Sequence, residues 1–294
     1  MAAQLHVIDL ETCNGDGICA EVCPQGALEL VDEKAATVES RAESCIYCGQ
    51  CVAVCPTESV QMPELEMEDF RRLEKRPFGY DEFYEFLRLR RSVRVFKDQP
   101  VERGVIEKIL DAAATAPMGF PPHTTEVVVI DDRVELDFLL QELVRDFDSL
   151  LKAFSGPIGR AWVRLSEGAE AYLELKDHVV DAVRFANELF HSNGTDRYMY
   201  RAPVLMMFHG SRWGISYEEN AHLVCHHAML AAISLGLGTT IIGVIPPIVE
   251  RSEKLRERYG IPKDNRVLTS LILGHPKYKY RQGIRRELAG VTYH

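Results

Sequence analysis

Seven of the eight cysteines of this chain lie between Cys13 and Cys55, and they follow a repeated frame. The second half reads Cys45, Cys48, Cys51 and Cys55 followed by Pro56, a C-x2-C-x2-C-x3-C-P run. The first half has the same frame with one change: Cys13, then Asp16 where a cysteine is expected, then Cys19 and Cys23 followed by Pro24. Three thiolates two residues apart on a tight loop can wrap a compact inorganic core. Gly15, Gly17 and Gly49 carry no Cβ to keep backbone N–H groups from approaching such a core. Each proline turns the chain away after the last cysteine of its half. C-x2-C pairs also suit tetrahedral zinc, but two separate zinc sites do not account for one frame used twice with both Cys-Pro endings. A disulfide framework is disfavoured, since nothing in the first residues suggests export.

The run resembles that of bacterial two-cluster ferredoxins, in which three thiolates hold one iron–sulfur cluster and the fourth ligates the other. The resemblance implies two crossed ligand sets. Cys45, Cys48, Cys51 and Cys23 would hold a 4Fe-4S cluster; Cys13, Asp16, Cys19 and Cys55 would surround the second. A carboxylate is a harder ligand than a thiolate and holds iron more loosely. The second cluster is then either a 4Fe-4S form with Asp16 on one iron or a 3Fe-4S form that has lost that corner. As a turn residue in Gly-Asp-Gly, Asp16 would instead leave the position to another group or to none. Both readings stay open.

A chain of 294 residues has room for two domains. The expected division is an iron–sulfur domain over 1–62, a polar connector over 63–80, and a larger domain over 81–294. Asp and Glu outnumber Lys and Arg by 44 to 34, for a net charge of −10, which argues against nucleic acid as a partner. No apolar run approaches the length of a membrane span, and no secretory signal is visible at the start. Cysteines packed at cluster spacing indicate a reducing cytoplasm, and oxygen-sensitive clusters point to anaerobic metabolism.

Periodicity sets out the rest of the chain. Ala27–Val31 and Ala36–Val38 predict a hairpin about Asp32-Glu33-Lys34, with a second near Val60. Helices are predicted from Asp81, over 101–114, 134–154, 168–191, 218–235 and 248–259, with a break at Gly156–Gly159. Strands are predicted over 126–130, 203–208, 239–245 and 266–273. The run Arg90, Arg91, Ser92, Val93, Arg94 stands out in an acidic chain, because guanidinium forks and a hydroxyl suit phosphate. It also reads as a basic helix end complementing the helix dipole.

Four separated pieces resemble the FMN-dependent nitroreductase family. They are Arg90 to Phe96; Ala116-Pro117 with its following loop; Ala232 to Gly243, ending in Gly-Leu-Gly-Thr-Thr-Ile-Ile-Gly; and Leu273 to Pro276 with Arg285-Arg286. With the ferredoxin front end they identify the ferredoxin-fused branch. The resemblance implies an α+β fold with a mixed, mainly antiparallel sheet flanked by helices. It also implies a homodimer with FMN held by Arg90, Arg91, Ser92, Arg94, Pro117, Met118, Gly119, Ile241, Ile242, Gly243, Arg285 and Arg286. Where the family commonly places Asn after Ala-Pro, this chain has Pro121, so that side-chain hydrogen bond is lost or supplied differently.

The expected function is an oxidoreductase passing electrons from a low-potential donor such as reduced ferredoxin, through the clusters, to FMN and on to a small aromatic, quinone or nitro-type acceptor. A non-catalytic redox relay serving a partner protein is the alternative. Tyr198, Tyr200, Trp213 and Phe120 are candidates to line an acceptor pocket, and residues 134–200 are the expected cover. Gly236-x-Gly238 follows a helix and so is no dinucleotide fingerprint. His222, His226, His227 and Cys225 read as structural residues of an alanine-rich helix.

Overall fold

The computed structural model describes residues 5–65, 67–70, 72–73, 78–119 and 124–294. They form two compact units, the first running to Gly79 and the second starting at Tyr80. In the first unit β1 (Val7–Ile8) pairs antiparallel with β4 (Val60–Gln61), and β2 (Leu28–Val31) with β3 (Lys34–Thr37). Two short helices, α1 (Ile18–Glu21) and α2 (Gln50–Val54), start after Gly17 and Gly49, whose φ values are 74° and 69°. The β2–β3 turn is tighter than expected. Asp32 and Glu33 both take positive φ, 50° and 60°, so β3 begins at Lys34 rather than Ala36. A two-residue turn of that hand matches strand twist, which favours it over a longer loop.

The doubled frame is also a doubled backbone. Gly15 and Tyr47, Gly17 and Gly49, and Gly26 and Glu58 occupy matching places in the two halves, and all six have positive φ. The core of this unit is small: Leu28, Ala35, Val52, Val60 and Met62 are buried together with Cys13, Cys19 and Cys51. Ligand-type residues therefore make up part of the core itself. So little apolar burial leaves the unit dependent on whatever its thiols bind.

The second unit is built on a four-stranded sheet of order β5-β6-β8-β7. Its strands are β5 (Thr125–Ile130), β6 (Val204–Ser211), β7 (Gly238–Ile241) and β8 (Asn265–Gly274), all antiparallel. A parallel bridge between Ser92 and Thr239 adds the mixed edge. Side chains of β6 alternate between two cores, as a strand's period of two requires. Leu205 and Met207, with Ile272 of β8, join Leu136, Leu139 and Leu143 of α5 (Arg133–Ser155) and Val183 of α8 (Val180–Asn193). Val204, Met206 and Phe208 face the other way. They join Ile106 and Ile109 of α4 (Arg103–Ala114) and Ala221, Ala228 and Ala232 of α9 (Tyr217–Ser234). The small alanines let α9 lie close to the sheet. Burying one such leucine contributes about 1.5–3 kcal/mol.

Prolines account for most departures from the expected elements. Pro157 opens α6 (Pro157–Glu167), where a break was expected; at the first helical position its missing N–H costs nothing. Beyond α6, α7 (Ala169–Glu174) and a π-helical turn over Leu175–Val179 precede α8 in place of one continuous helix. The strand expected to reach Ile245 ends at Ile241, because Ile245-Pro246-Pro247 begins α10 (Ile245–Arg251). Ser252 ends that helix and caps α11 (Glu253–Arg258), its hydroxyl accepting from Leu255 N at 3.3 Å. The remaining helix, α3 (Tyr80–Leu89), precedes the arginine run. Among the described residues no helix is long and apolar enough to cross a membrane.

Candidate functional site

In the first unit the fold draws the donors of the frame into two groups. Cys23, Cys45, Cys48 and Cys51 line one hollow together with His6 and Met62. Cys19 feels the charges of Cys55, Cys13 and Asp16. Each group thus takes three donors from one half of the frame and one from the other. Among the described residues no three His, Cys, Asp or Glu side chains close on the position of a single ion. Soft sulfur donors spread around a hollow fit a multi-iron core.

Burial pushes the Cys51 thiol up to about 11 and also raises Cys19 and Cys45. Cys55 behaves oppositely. Burial would raise it, but bonds from the Ser59 and Thr57 hydroxyls and from Ser59 N hold it down to about 7. Asp16 uses Oδ1 to accept from Ile18 N at 3.1 Å, so it shapes the start of α1. Among the described residues Oδ2 takes no hydrogen bond, which leaves one oxygen available to a metal.

The second unit carries a cleft of about 490 Å³ whose walls include Arg94, Tyr198, Tyr200, Ile241, Ile242 and Gly243. Pairing of the arginine run with β7 fixes Arg94 next to Thr240 and Ile241 in its wall. Val93 N donates to Thr239 O at 2.9 Å, and Thr240 Oγ1 donates to Val93 O at 2.5 Å. A Cβ on Gly238 would stand 2.7 Å from Val93 Cβ, so only glycine permits this approach. The other side of the arginine run is pinned by the carboxyl-terminal segment. Lys97 N donates to His275 O at 2.8 Å, Lys277 N to Val95 O at 3.0 Å, and Arg91 Nη2 to Gln282 O at 2.9 Å.

The described lining of this cleft contains cations but no carboxylate. Apolar walls beside uncompensated arginine suit a flat amphiphile with an anionic end. A second cleft of about 580 Å³ shares Val179, Gly243 and Val244 and is walled by Leu150, Trp162 and Arg251. Residues of the 134–200 insert therefore line both clefts.

Tyr198 is held by polar groups that periodicity could not reveal. Its hydroxyl donates to Asn187 Oδ1 at 2.5 Å, and Asn187 Nδ2 donates to Asp148 Oδ1 at 2.8 Å. Burial raises the Tyr198 phenol, so it stays protonated. Asp196 accepts from the backbone N–H groups of Tyr198, Met199 and Arg201, each at 2.8 Å. That fan of bonds holds Tyr200 and Arg201 at positive φ, 54° and 53°. An aspartate just before a tyrosine-rich turn was the available signal.

Other expected residues lie elsewhere. Pro117, Met118 and Gly119 are not among the residues lining either cleft. Met118 packs on the α4–α9 core, and Gly119 N donates to Asn220 Oδ1 at 2.9 Å. Asn220 is buried and its amide also reaches Thr124 Oγ1 at 3.3 Å; this contact was not foreseen. Phe120, Pro121 and His123 lie outside the described residues. Arg90 is half-buried, its carbonyl accepting from Arg91 Nη1 at 2.5 Å, and Ser92 is exposed. Arg285 is exposed and pairs with Glu287 at 3.7 Å; Arg286 is exposed as well. Trp213 is exposed and away from both clefts. His222 Nδ1 bonds Glu218 O at 2.6 Å, and His227 Nδ1 lies 3.3 Å from Thr115 Oγ1. Buried Cys225 is pushed up to about 12. These are structural roles.

Residues 87–275 match the nitroreductase family, and residues 5–56 match the 4Fe-4S dicluster domain. The chain belongs to the nitroreductase family; it is an oxidoreductase with an N-terminal ferredoxin-type 4Fe-4S dicluster domain. It is 24% identical over 245 residues to iodotyrosine deiodinase 1 of Mus musculus, a match covering 81% of this chain and 74% of that protein. It spans 62% of the length of the Rattus norvegicus enzyme. It is 26% identical over 197 residues to a putative NADH dehydrogenase/NAD(P)H nitroreductase of Archaeoglobus fulgidus, covering 67% of this chain and 87% of that one. The crystal structure of a nitroreductase with bound FMN from Bacteroides fragilis shares the fold. It has a TM-score of 0.54 and 20% identity, over 72% of this chain and 97% of that chain.

Proposed function

We propose that this chain is an iron–sulfur flavoprotein that takes electrons from a low-potential donor and delivers them to a small aromatic acceptor. FMN would occupy the cleft walled by Arg94, Ile241, Ile242 and Gly243, and two clusters would occupy the two donor groups of the first unit. The observation that carries the reading is the double pinning of the arginine run, between β7 and the carboxyl-terminal segment, beside a cleft whose described lining holds no carboxylate. When bound, the clusters supply one-electron exchange and the flavin couples it to two-electron chemistry.

The chain's own residues would bind and orient. Arg94, with Arg197 of the same lining, would neutralise the anionic end of FMN. Ile241 and Ile242 keep water from one side of the ring, and the backbone at Gly243 approaches without obstruction. Tyr200, held in the turn that Asp196 organises, offers a flat face to an aromatic acceptor, while Tyr198, stacked on Phe147 and bonded to Asn187, backs the wall. The acceptor class is supported by a relative whose name points to iodotyrosine. The fused ferredoxin-type unit supports a reduced ferredoxin as the donor in this reading. The covalent link between the two units raises the effective concentration of one for the other.

Exposed Leu223, Ile215 and Trp213 around α9 support a homodimer, and cysteines packed at cluster spacing support a cytoplasmic setting. The test is anaerobic preparation with iron, sulfide and flavin analysis, followed by turnover of 3-iodotyrosine and a nitroaromatic with reduced ferredoxin. Stoichiometric FMN and multiple turnovers support the reading; failure to retain flavin overturns it.

A further inference from the structure

The last cysteine of each half opens the same turn. Gly26 N donates to Cys23 O at 3.1 Å, and Glu58 N to Cys55 O at 3.3 Å. Gly26 and Glu58 take φ values of 60° and 56°. One residue further on, Ala27 N donates to Cys23 Sγ at 3.2 Å and Ser59 N to Cys55 Sγ at 3.3 Å. There the likeness ends. Ala27 has no donor on its side chain, and among the described residues no hydroxyl reaches Cys23. At Cys55, Ser59 Oγ lies 3.3 Å and Thr57 Oγ1 3.5 Å from the sulfur, with 2.9 Å between the two oxygens.

A thiolate bound to iron carries no proton, so these hydroxyls can only donate toward it. Ser59 bonds the sulfur directly, and Thr57 either does the same or donates to Ser59 Oγ and polarises its O–H. Ser59 is 2% exposed, so water does not compete for the bond. Reduction adds one electron, and hence negative charge, to a cluster and its sulfurs. Donors aimed at a ligand sulfur favour that more negative state and raise the potential.

Resting on the cluster reading above, we propose that Ser59 and Thr57 are positioning residues that set the potential of the cluster ligated by Cys55. They place it above the potential it would have if its turn matched that of Cys23. The two clusters then differ in potential partly through side chains that ligate neither.

The experiment uses the full chain, prepared anaerobically, with both midpoint potentials followed by EPR during redox titration. Ser59→Ala combined with Thr57→Val lowers the midpoint of the Cys55-side cluster and leaves the other unchanged. The expected change redistributes electrons between the clusters about tenfold, equivalent to about 59 mV for a one-electron couple. The reciprocal Ala27→Ser adds a hydroxyl beside Cys23 and raises the other midpoint. Unchanged midpoints at wild-type iron and sulfide content overturn the proposal, as does an equal shift of both. Should the double variant lose its clusters, Ala27→Ser decides alone, and no rise in its midpoint overturns the proposal. Wild-type protein without iron and sulfide would instead overturn the cluster reading itself.

Discussion

The two units of this chain reach order by opposite routes. In the first, a handful of apolar side chains is buried together with Cys13, Cys19 and Cys51, so the groups that bind metal are also those that fill the interior. In the second, a sheet buried on both faces separates two apolar cores, and the cleft sits at the β7 edge of that sheet. A site that is its own core cannot be emptied without unfolding. A site at the edge of an independent core can.

The sharpest break in that comparison comes from replacing Cys45, Cys48 and Cys51 by serine. The first unit should lose its fold with its metal, while the second retains protection in hydrogen exchange and keeps its flavin. The converse is Leu139→Ala, at a fully buried position of α5. It should cost the second unit about 2–5 kcal/mol, read by denaturant unfolding, with iron content unchanged. Arg94→Gln should weaken FMN retention by about 1.5–3 kcal/mol without moving the unfolding midpoint of the flavin-free protein; equilibrium dialysis measures it. Gly238→Ala forces Val93 away from β7. It should cost about 1–3 kcal/mol and loosen flavin as well, joining fold and site at one position.

The smallest effect is on pH dependence. Burial pushes His209 below the ordinary histidine value of 6.5, and its ring faces Asn265 Nδ2 at 2.9 Å, with Glu126 and Arg256 nearby. Above that value neither state takes the proton. As the pH falls below it, the unfolded chain binds a proton that the folded chain refuses, so stability declines. Thermal unfolding of the second unit at stepwise lower pH should show the decline, and His209→Gln should reduce it.

Legibility in the sequence follows the same division. The metal frame could be read because its ligands and turns are local. The cysteine spacing, the Cys-Pro endings and the glycines at positive φ all lie within one short stretch. The hydroxyls on Cys55 were equally local, but a serine after a Cys-Pro turn carries no signal until its oxygen is seen to face sulfur. In the second unit the arginine run, the Gly236 to Gly243 stretch and the tail are remote in sequence, and only family resemblance joined them. The side chains that hold the cleft's tyrosines, Asn187 and Asp196, are ordinary polar residues whose meaning depends on distant packing. Helix bounds near Pro157 and Pro246 escape periodicity for another reason: proline ends a helix from within but starts one from its first turn.

Delivery of electrons from the thiol-held clusters to the flavin is the central claim, and anaerobic mixing tests it most directly. Holoprotein carrying clusters and FMN is combined with reduced ferredoxin and no acceptor, beside the Cys45, Cys48 and Cys51 serine variant loaded with FMN. Flavin absorbance should bleach in the wild-type protein and persist in the variant. Bleaching at the same rate in both, or clusters that reduce while the flavin stays oxidised, would contradict the account.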